Sequence, residues 1–144
     1  MILEISGNLF DHKHQAYAHG VNALGVMDAG IAVQFKQRYL KMFEAYQKQC
    51  RSGMLKPGDV FFFQQLSAPA VFNLVTQADL SAARTEFLEA AVEQMYLQAK
   101  EKNIIDIGAP LIGCGHGGLT HSQLRAALKP FSDATTLHIT LYHL

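Results

Sequence analysis

Short apolar segments alternate with longer amphipathic ones along the chain, and the two kinds predict different secondary structure. Runs rich in β-branched and aromatic residues predict strands at 2–5, 16–21, 60–64, 70–76, 104–109 and 137–142. Apolar positions at helical spacing predict helices at 31–39, 80–102 and 120–128, with 43–50 as a continuation of the first helix or a second one. Strands that alternate with helices predict an α/β fold in which helices cover both faces of a sheet.

Turn and capping residues set the limits of these elements. Gly53 is placed to stop the helix before it, and residues 57–59 form a turn signal. Thr120 and Gln123 have the spacing of a capping box, so the last helix should begin there, and Pro130 should end it. No repeat, linker or low-complexity tract divides the 144 residues, so we predict a single domain.

Composition narrows the range of partners. Twelve basic and twelve acidic residues give a net charge of zero with histidine neutral, which argues against a broad nucleic-acid or membrane surface. Cys50 and Cys114 do not form a CxxC pair, and His12 and His14 have no Cys or His cluster near them, so neither a metal nor another cofactor is expected. The first residues lack the basic region and long apolar run that predict a signal peptide, and no apolar stretch reaches membrane-spanning length. We therefore expect a cytoplasmic protein, and a monomer.

Residues 22–32, between the second strand and the first helix, have the features of an anion site. Ala29, Gly30 and Ala32 are small, which lets a ligand approach the backbone closely. A helix that begins near Gly30 directs free amides and the positive end of its dipole at this space, and phosphate suits such a site. Taken alone, an ordinary strand-to-helix turn explains the segment equally well.

A second glycine-rich segment, residues 110–119, follows the fifth predicted strand. Four of the six residues from 113 to 118 are glycine, more than turn geometry should require, because each glycine costs entropy on folding. The GxGxGG run lacks the usual spacing of dinucleotide-binding loops, so it indicates a generic phosphate cradle. Since both glycine-bearing segments follow strands, they should open on the same edge of the sheet and hold a diphosphate between them.

Few side chains in or near these segments can carry chemistry. His19, at the end of the second strand, is interpreted as a hydrogen-bonded core histidine or as a general acid or base facing the first segment. Asp28 is interpreted as an N-cap or as a carboxylate facing the ligand. His116 either contacts ligand or faces water. Cys114 is favoured as a buried small residue over a nucleophile, since no histidine–acid arrangement surrounds it in the sequence.

Motifs spread along the chain resemble the macrodomain family of ADP-ribose-binding modules. The segments that carry the resemblance are Gly7-Asn8-Leu9-Phe10, His19-Gly20-Val21-Asn22, Gly25-Val26-Met27-Asp28-Ala29-Gly30-Ile31-Ala32, Phe72-Asn73-Leu74-Val75-Thr76-Gln77, residues 110–119 and Ile139-Thr140-Leu141-Tyr142. The resemblance implies a three-layer α/β/α sandwich with a mixed central sheet. Within the family, the chain is similar to terminal ADP-ribose glycohydrolases, to antitoxins that reverse DNA ADP-ribosylation and to ADP-ribose-1″-phosphate phosphatases.

The resemblance also implies where a ligand would lie. The adenine is expected near Asn8 and the last strand, the diphosphate between the two glycine-bearing segments, and the distal ribose toward Asn22 and His19. The partner is then ADP-ribose or an ADP-ribosylated macromolecule. Candidate catalytic residues are His19, Asn22 and Asp28. Candidate ligand-binding residues are Asn8, Leu9, Gly25, Val26, Met27, Ala29, Gly30, Ile31, Ala32, Thr76, Gln77, Ile112, Gly113, Cys114, Gly115, His116, Gly117, Gly118, Leu119 and Tyr142.

Four positions depart from the family pattern. Glycohydrolases of this class use a lysine where this chain has Gln77 and an aspartate where it has Gly117, so no amine nucleophile is available at these positions. Asn8 replaces the acidic residue that contacts adenine, and its amide oxygen can accept a hydrogen bond only without charge assistance. Asp28 replaces a common glycine.

Two classes of function follow. The first is a hydrolase, which either removes the terminal phosphate of ADP-ribose-1″-phosphate with His19 as acid or base, or releases ADP-ribose from a protein or nucleic acid with water positioned by the substrate. The second is a reader that binds ADP-ribose without turnover, which the departures at Gln77 and Gly117 favour. An unrelated α/β domain with a structural role is a third, disfavoured alternative.

Overall fold

A mixed six-stranded sheet forms the middle layer of the protein. The computed structural model describes residues 1–132 and 136–143. The strands are β1 (Ile2–Ser6), β2 (Ala16–Asn22), β3 (Val60–Phe63), β4 (Ala70–Gln77), β5 (Asp106–Pro110) and β6 (His138–His143). Their order across the sheet is β1-β6-β5-β2-β4-β3, with β3 antiparallel to β4 and the other neighbouring pairs parallel. Each strand lies within two residues of its predicted bounds.

Helices cover both faces of this sheet, which confirms the three-layer α/β/α sandwich. They are α1 (Ile31–Arg38), α2 (Leu40–Arg51), α3 (Thr85–Glu101) and α4 (His121–Ser132), with a short 3-10 helix at Leu9–Asp11. Successive strand residues point to opposite faces. Tyr17 and Val21 of β2 therefore join the core under α1 and α2, whereas Ala16 and Ala18 join the core under α3 and α4. Within residues 1–132 and 136–143, the structure contains no helix with the length and apolar character needed to cross a membrane.

The start of α3 differs from the sequence prediction. The helix begins at Thr85 and not at Leu80, because the backbone before it is tied to other loops. The N–H of Ala83 donates to the carbonyl of Gly117 at 2.8 Å, and the residues before it form bends in which the N–H of Ser81 donates to the Asp79 side chain.

The ends of the other helices show which local signals were reliable. Thr120 and Gln123 form the predicted capping box, since each side chain accepts from the other residue's backbone N–H, at 3.1 and 2.8 Å. The prediction that Pro130 ends the last helix is wrong, because α4 continues to Ser132, whose hydroxyl donates to a carbonyl of the last turn. Tyr39, with φ −130° and ψ 62°, separates α1 from α2, so residues 43–50 belong to a second helix.

Candidate functional site

A cleft opens at the carboxyl ends of the central parallel strands. β2 and β5 are parallel neighbours, so residues 22–30 (loop 1) and residues 111–120 (loop 2) face each other across this edge. The prediction that both glycine-bearing segments open on the same edge is confirmed. The cleft between them has a volume of about 650 Å³, which is in the range of pockets that hold small molecules and cofactors.

Asn22 organises loop 1 with its side-chain amide. Its Oδ1 accepts from the N–H groups of Leu24 and Val26, at 3.0 and 3.3 Å, and its Nδ2 donates to the carbonyl of Val26 at 3.0 Å. The hydroxyl of Tyr46, which is fully buried on α2, lies 2.6 Å from the Asn22 carbonyl oxygen and 3.0 Å from Oδ1. Asn22 therefore lines the cleft while its amide holds the loop in shape.

Two glycines in loop 1 adopt backbone angles that other residues rarely take. Gly25 has φ +85° and faces α2, where the Gln47 side chain donates to its carbonyl at 3.3 Å. Gly30 has φ +59°, and a Cβ there would meet nothing within 4 Å, because the space beside it is the cleft. α1 begins after Gly30 without a side-chain cap. The unpaired N–H groups of its first turn thus lie at the wall of the cleft.

Backbone hydrogen bonds close loop 2 on itself. The N–H of Leu119 donates to the carbonyl of Gly113 at 2.9 Å. A Cβ at Gly117 would lie 2.4 Å from that same carbonyl oxygen and 2.8 Å from the Cβ of Ala83. The aspartate that the family pattern has at this position would require the loop to move.

Backbone geometry and close contacts require glycine at more positions of loop 2 than we predicted from the sequence. Gly113 and Gly118 have φ +78° and +76°, and Gly117 is crowded. Three of the four glycines therefore meet a structural requirement, two through a positive φ and one through crowding, so the expectation that structure requires fewer glycines is wrong for these three. Gly115 differs, since a Cβ there would meet nothing within 4 Å and its φ is not positive.

The two ends of the cleft differ in chemistry. Leu9 and Tyr142 line it beside β6, whereas Thr76, Gln77 and Leu80 line it beside β4. Because β5 and β2 lie between β6 and β4, the ends are separated by three strand spacings, or roughly 14 Å. The cleft thus runs from an aromatic end to a more polar one, with the two glycine-bearing loops between.

The structure brings most of the predicted ligand-binding residues to the cleft. Those that line it are Leu9, Val26, Met27, Ala29, Gly30, Ile31, Ala32, Thr76, Gln77, Ile112, Gly113, Cys114, Gly115, His116, Gly117 and Tyr142, together with Asn22 and Asp28. Those that the cleft lining does not include are His19, Asn8, Gly25, Gly118 and Leu119. Lining residues that the sequence analysis missed are Gly7, Gly20, Val21, Leu80, Pro110, Leu111 and His121. Five of these seven lie inside segments that carry the family resemblance, so membership of those segments was the available signal, whereas Leu80 and His121 lie outside them.

His19 faces the core under α1, away from the cleft. The ring is completely buried, stacks on Phe35 at a centroid distance of 3.9 Å and donates from Nε2 to Oδ1 of Asn73 at 2.6 Å. Burial lowers its pKa to about 4, and the hydrogen bond with Asn73 opposes this only in part. This environment corresponds to the first of its two interpretations, a hydrogen-bonded core histidine, and does not bring the ring to a ligand.

Asn8 is also engaged elsewhere. Its side-chain oxygen accepts from the N–H of Phe10 at 3.0 Å and caps the short 3-10 helix. Its neighbours Gly7 and Leu9 line the cleft and Asn8 does not. The expected contact between Asn8 and adenine would need the side chain to leave this cap.

The remaining titratable side chains of the loops are exposed or only partly buried. Asp28 does not cap α1, whose N-cap is Gly30, and its carboxylate lies 3.6 Å from the Lys36 ammonium group. The Cys114 thiol lies 3.5 Å from the carbonyl of Thr120, and partial burial raises its pKa, which disfavours the thiolate that a nucleophile needs. His116 is exposed at the cleft.

In the part of the chain that the structure describes, no three Cys, His, Asp or Glu side chains are grouped as metal ligands.

The model of the Macro domain family matches residues 18–127 of this chain. The chain belongs to the macro domain family. It is 36% identical over 132 residues to DNA ADP-ribosyl glycohydrolase of Mycobacterium tuberculosis, an alignment covering 89% of this macro domain and 38% of that relative. This macro domain therefore spans well under half of the length of that relative.

Two other similarities cover nearly all of both chains. The macro domain is 29% identical over 145 residues to human ADP-ribose glycohydrolase OARD1, covering 99% of this chain and 91% of OARD1. Among solved structures, the macrodomain of Mycobacterium tuberculosis DarG matches it with a TM-score of 0.92 at 31% identity, covering 100% of this chain and 98% of that one.

Proposed function

We propose that this macro domain binds ADP-ribose and hydrolyses the bond between ADP-ribose and a macromolecule. The observation that carries the proposal is the order of chemistry along the cleft, which has an aromatic end, two opposed glycine-bearing loops and a polar end. ADP-ribose has parts in the same order, a flat base, a diphosphate and a distal ribose. The names of the relatives from Mycobacterium tuberculosis and human, both glycohydrolases of ADP-ribose linkages, support the reaction.

In this proposal the diphosphate is held by backbone groups. Among the described residues that line the cleft there is neither lysine nor arginine, so charge would come from the N-terminus of α1 and from loop amides. The base would lie against Tyr142. The distal ribose and its acceptor would lie near Thr76, Gln77 and Leu80. Backbone binding of this kind is compatible with the net charge of zero.

The proposed reaction uses water as the nucleophile. Water attacks the anomeric carbon of the distal ribose, the bond from that carbon to the acceptor breaks, and the acceptor leaves with a proton. Gln77 donates its side-chain N–H to the Ser81 carbonyl and has no nucleophilic atom, which supports a water positioned by the substrate over an amine of the protein. His116 and Asp28 are the loop side chains at the cleft that can move a proton.

A reader that binds ADP-ribose without turnover is the second candidate. The specific observation in its favour is the crowding at Gly117, which leaves no space for the aspartate of the family pattern. Removal of the phosphate from ADP-ribose-1″-phosphate is less favoured, since its proposed acid or base, His19, is buried under α1.

Calorimetry with ADP-ribose tests the binding step. Gly30→Glu should abolish binding, because the new side chain would enter the space of the cleft and place a negative charge beside the proposed phosphate site. Gly53→Glu is the matched control, since Gly53 also has a positive φ and open space around its Cβ position but lies at the end of α2. Absence of binding by the wild-type protein would refute both candidates, and full affinity in Gly30→Glu would refute the placement of the diphosphate.

A panel of substrates separates the enzyme from the reader. ADP-ribosylated DNA, ADP-ribosylated protein and ADP-ribose-1″-phosphate are incubated with the protein, and free ADP-ribose and phosphate are measured. Release of ADP-ribose from DNA is the expected result. Binding of ADP-ribose without turnover of any of the three would assign the protein as a reader.

We extend the proposal to the setting of the protein, which we take to be a cytoplasmic monomer without a broad nucleic-acid surface. The free thiols of Cys50 and Cys114 are compatible with a reducing compartment. Light scattering of the purified protein with and without ADP-ribose tests the monomer.

A further inference from the structure

The side chain of His14 links Tyr142, at the aromatic end of the cleft, to the carboxylate of Asp106. Its Nδ1 lies 3.1 Å from both carboxylate oxygens of Asp106, at the start of β5, and its Nε2 is hydrogen-bonded to the hydroxyl of Tyr142 on β6. The His14 side chain is almost completely buried, with 8% of its surface exposed. Three residues from distant parts of the sequence thus form one chain of hydrogen bonds.

The chemistry of the two partners sets the tautomer of the neutral His14 ring. A carboxylate only accepts hydrogen bonds, so Nδ1 of His14 carries the hydrogen that Asp106 accepts. In the neutral ring Nε2 is then the acceptor, and the hydroxyl of Tyr142 donates to it. Burial raises the pKa of Tyr142, so the hydroxyl keeps the hydrogen that it donates. In the neutral ring, Nδ1 of His14 thus donates to Asp106 and the Tyr142 hydroxyl donates to Nε2 of His14.

These contacts fix a ring that forms part of the cleft. Tyr142 lines the cleft with 4% of its surface exposed, and its hydroxyl is hydrogen-bonded to His14, so this hydroxyl is not free to bind a ligand. His12 packs against the same ring at a centroid distance of 4.9 Å, and the His14 ring meets it edge-on at 5.6 Å. Two histidines of the segment before β2 therefore hold the aromatic wall in place.

Gly108 provides an independent sign that the ring of His14 belongs at this position. A Cβ at Gly108 would lie 2.4 Å from Cδ2 of His14 and 2.8 Å from its Cγ and Nε2. Its φ is not among the positive ones, so backbone conformation does not require glycine here. The close approach of the histidine ring does.

We propose that His14 is a positioning residue for ligand binding, which with Asp106 fixes the Tyr142 ring as the wall that receives the flat base of the ligand. The identity of the ligand rests on the proposed function. The hydrogen-bond chain itself rests on the geometry of His14, Asp106 and Tyr142.

Nitrogen NMR of wild-type protein labelled at histidine tests the hydrogen-bond chain without any substitution. We expect His14 to be the tautomer with hydrogen on Nδ1, although free neutral histidine prefers hydrogen on Nε2. A His14 ring with hydrogen on Nε2 alone at neutral pH would overturn the proposal. A residue that only fills space has no reason to hold the Nδ1 tautomer.

A double-mutant cycle tests the link to binding. His14→Phe keeps a ring against Gly108 and removes both nitrogens, and Tyr142→Phe keeps the wall and removes the hydroxyl. Each single variant should bind ADP-ribose about fivefold more weakly, the effect of one buried hydrogen bond. The double variant should be no weaker than the weaker single variant, because both changes remove the same bond. His138→Gln, at an exposed histidine, is the control and should bind like the wild type.

The possible results separate this inference from the proposed function. Wild-type binding with single variants within about twofold of the wild type, or with additive losses in the double variant, would overturn the positioning role alone. A wild-type protein that holds the Nδ1 tautomer but does not bind ADP-ribose would overturn the proposed function and the role of His14 in it.

Discussion

Replacing Tyr46 by phenylalanine removes one hydroxyl from the underside of loop 1. That hydroxyl reaches the carbonyl oxygen and the side-chain oxygen of Asn22, at 2.6 and 3.0 Å. Burial raises the pKa of Tyr46, so the hydroxyl donates in the folded protein. Since the amide of Asn22 in turn holds the backbone of Leu24 and Val26, the variant removes support from the whole loop without adding any atom.

The size of the effect follows from the burial of the site. A lost hydrogen bond costs about 1 kcal/mol, and a buried carbonyl left without its partner raises this to about 1–3 kcal/mol. For a domain of this length, the melting temperature should fall by about 4 °C for each kcal/mol. If the ligand has to reorder loop 1, affinity for ADP-ribose falls as well, by about tenfold for each 1.4 kcal/mol.

Thermal unfolding and calorimetry with ADP-ribose measure both consequences of Tyr46→Phe. Tyr96→Phe is a matched control, because the buried hydroxyl of Tyr96 has no hydrogen-bond partner in the described part of the chain and lies on α3. Its removal should leave affinity unchanged and cost little stability. Equal melting temperatures and equal affinities for Tyr46→Phe and the wild type would refute the role of this hydroxyl in loop 1.

Two further predictions concern His19 and Gly117. The pKa of His19 is about 4 in the folded protein against a usual 6.5. Between these two pH values the unfolded chain binds more protons than the folded protein does. As pH falls through this window, the protein should therefore lose about 3 kcal/mol of stability. Urea unfolding at several pH values should show this loss in the wild type and not in His19→Phe, and an equal loss in both would assign it to other groups. Gly117→Ala should cost about 1–3 kcal/mol, because its Cβ would lie 2.4 Å from the Gly113 carbonyl oxygen. Gly115→Ala has open space and should cost less, so equal melting temperatures for the two alanine variants would contradict the described loop.

Local chemistry made much of the fold predictable from the sequence. The capping box of Thr120 and Gln123 depends on residues three apart, and the strand bounds depend on short runs of apolar residues. The edge on which both loops open also follows from local order, since each loop comes after a parallel strand. The errors at Leu80 and Pro130 arose at helix ends, where contacts with other segments decide which residues are helical.

The side-chain roles needed the tertiary structure. Both faces of β2 are buried, so its apolar pattern does not tell which face His19 occupies, and only the packing of α1 shows that the ring lies away from the cleft. The support of loop 1 by Tyr46 and the close approach of His14 to Gly108 join residues that are distant in sequence. The sequence alone thus determined the α/β architecture and the two glycine-bearing loops, because these depend on local periodicity and turn chemistry. Tertiary packing decided which polar side chains reach the cleft, because the face a buried strand residue occupies depends on what covers the sheet.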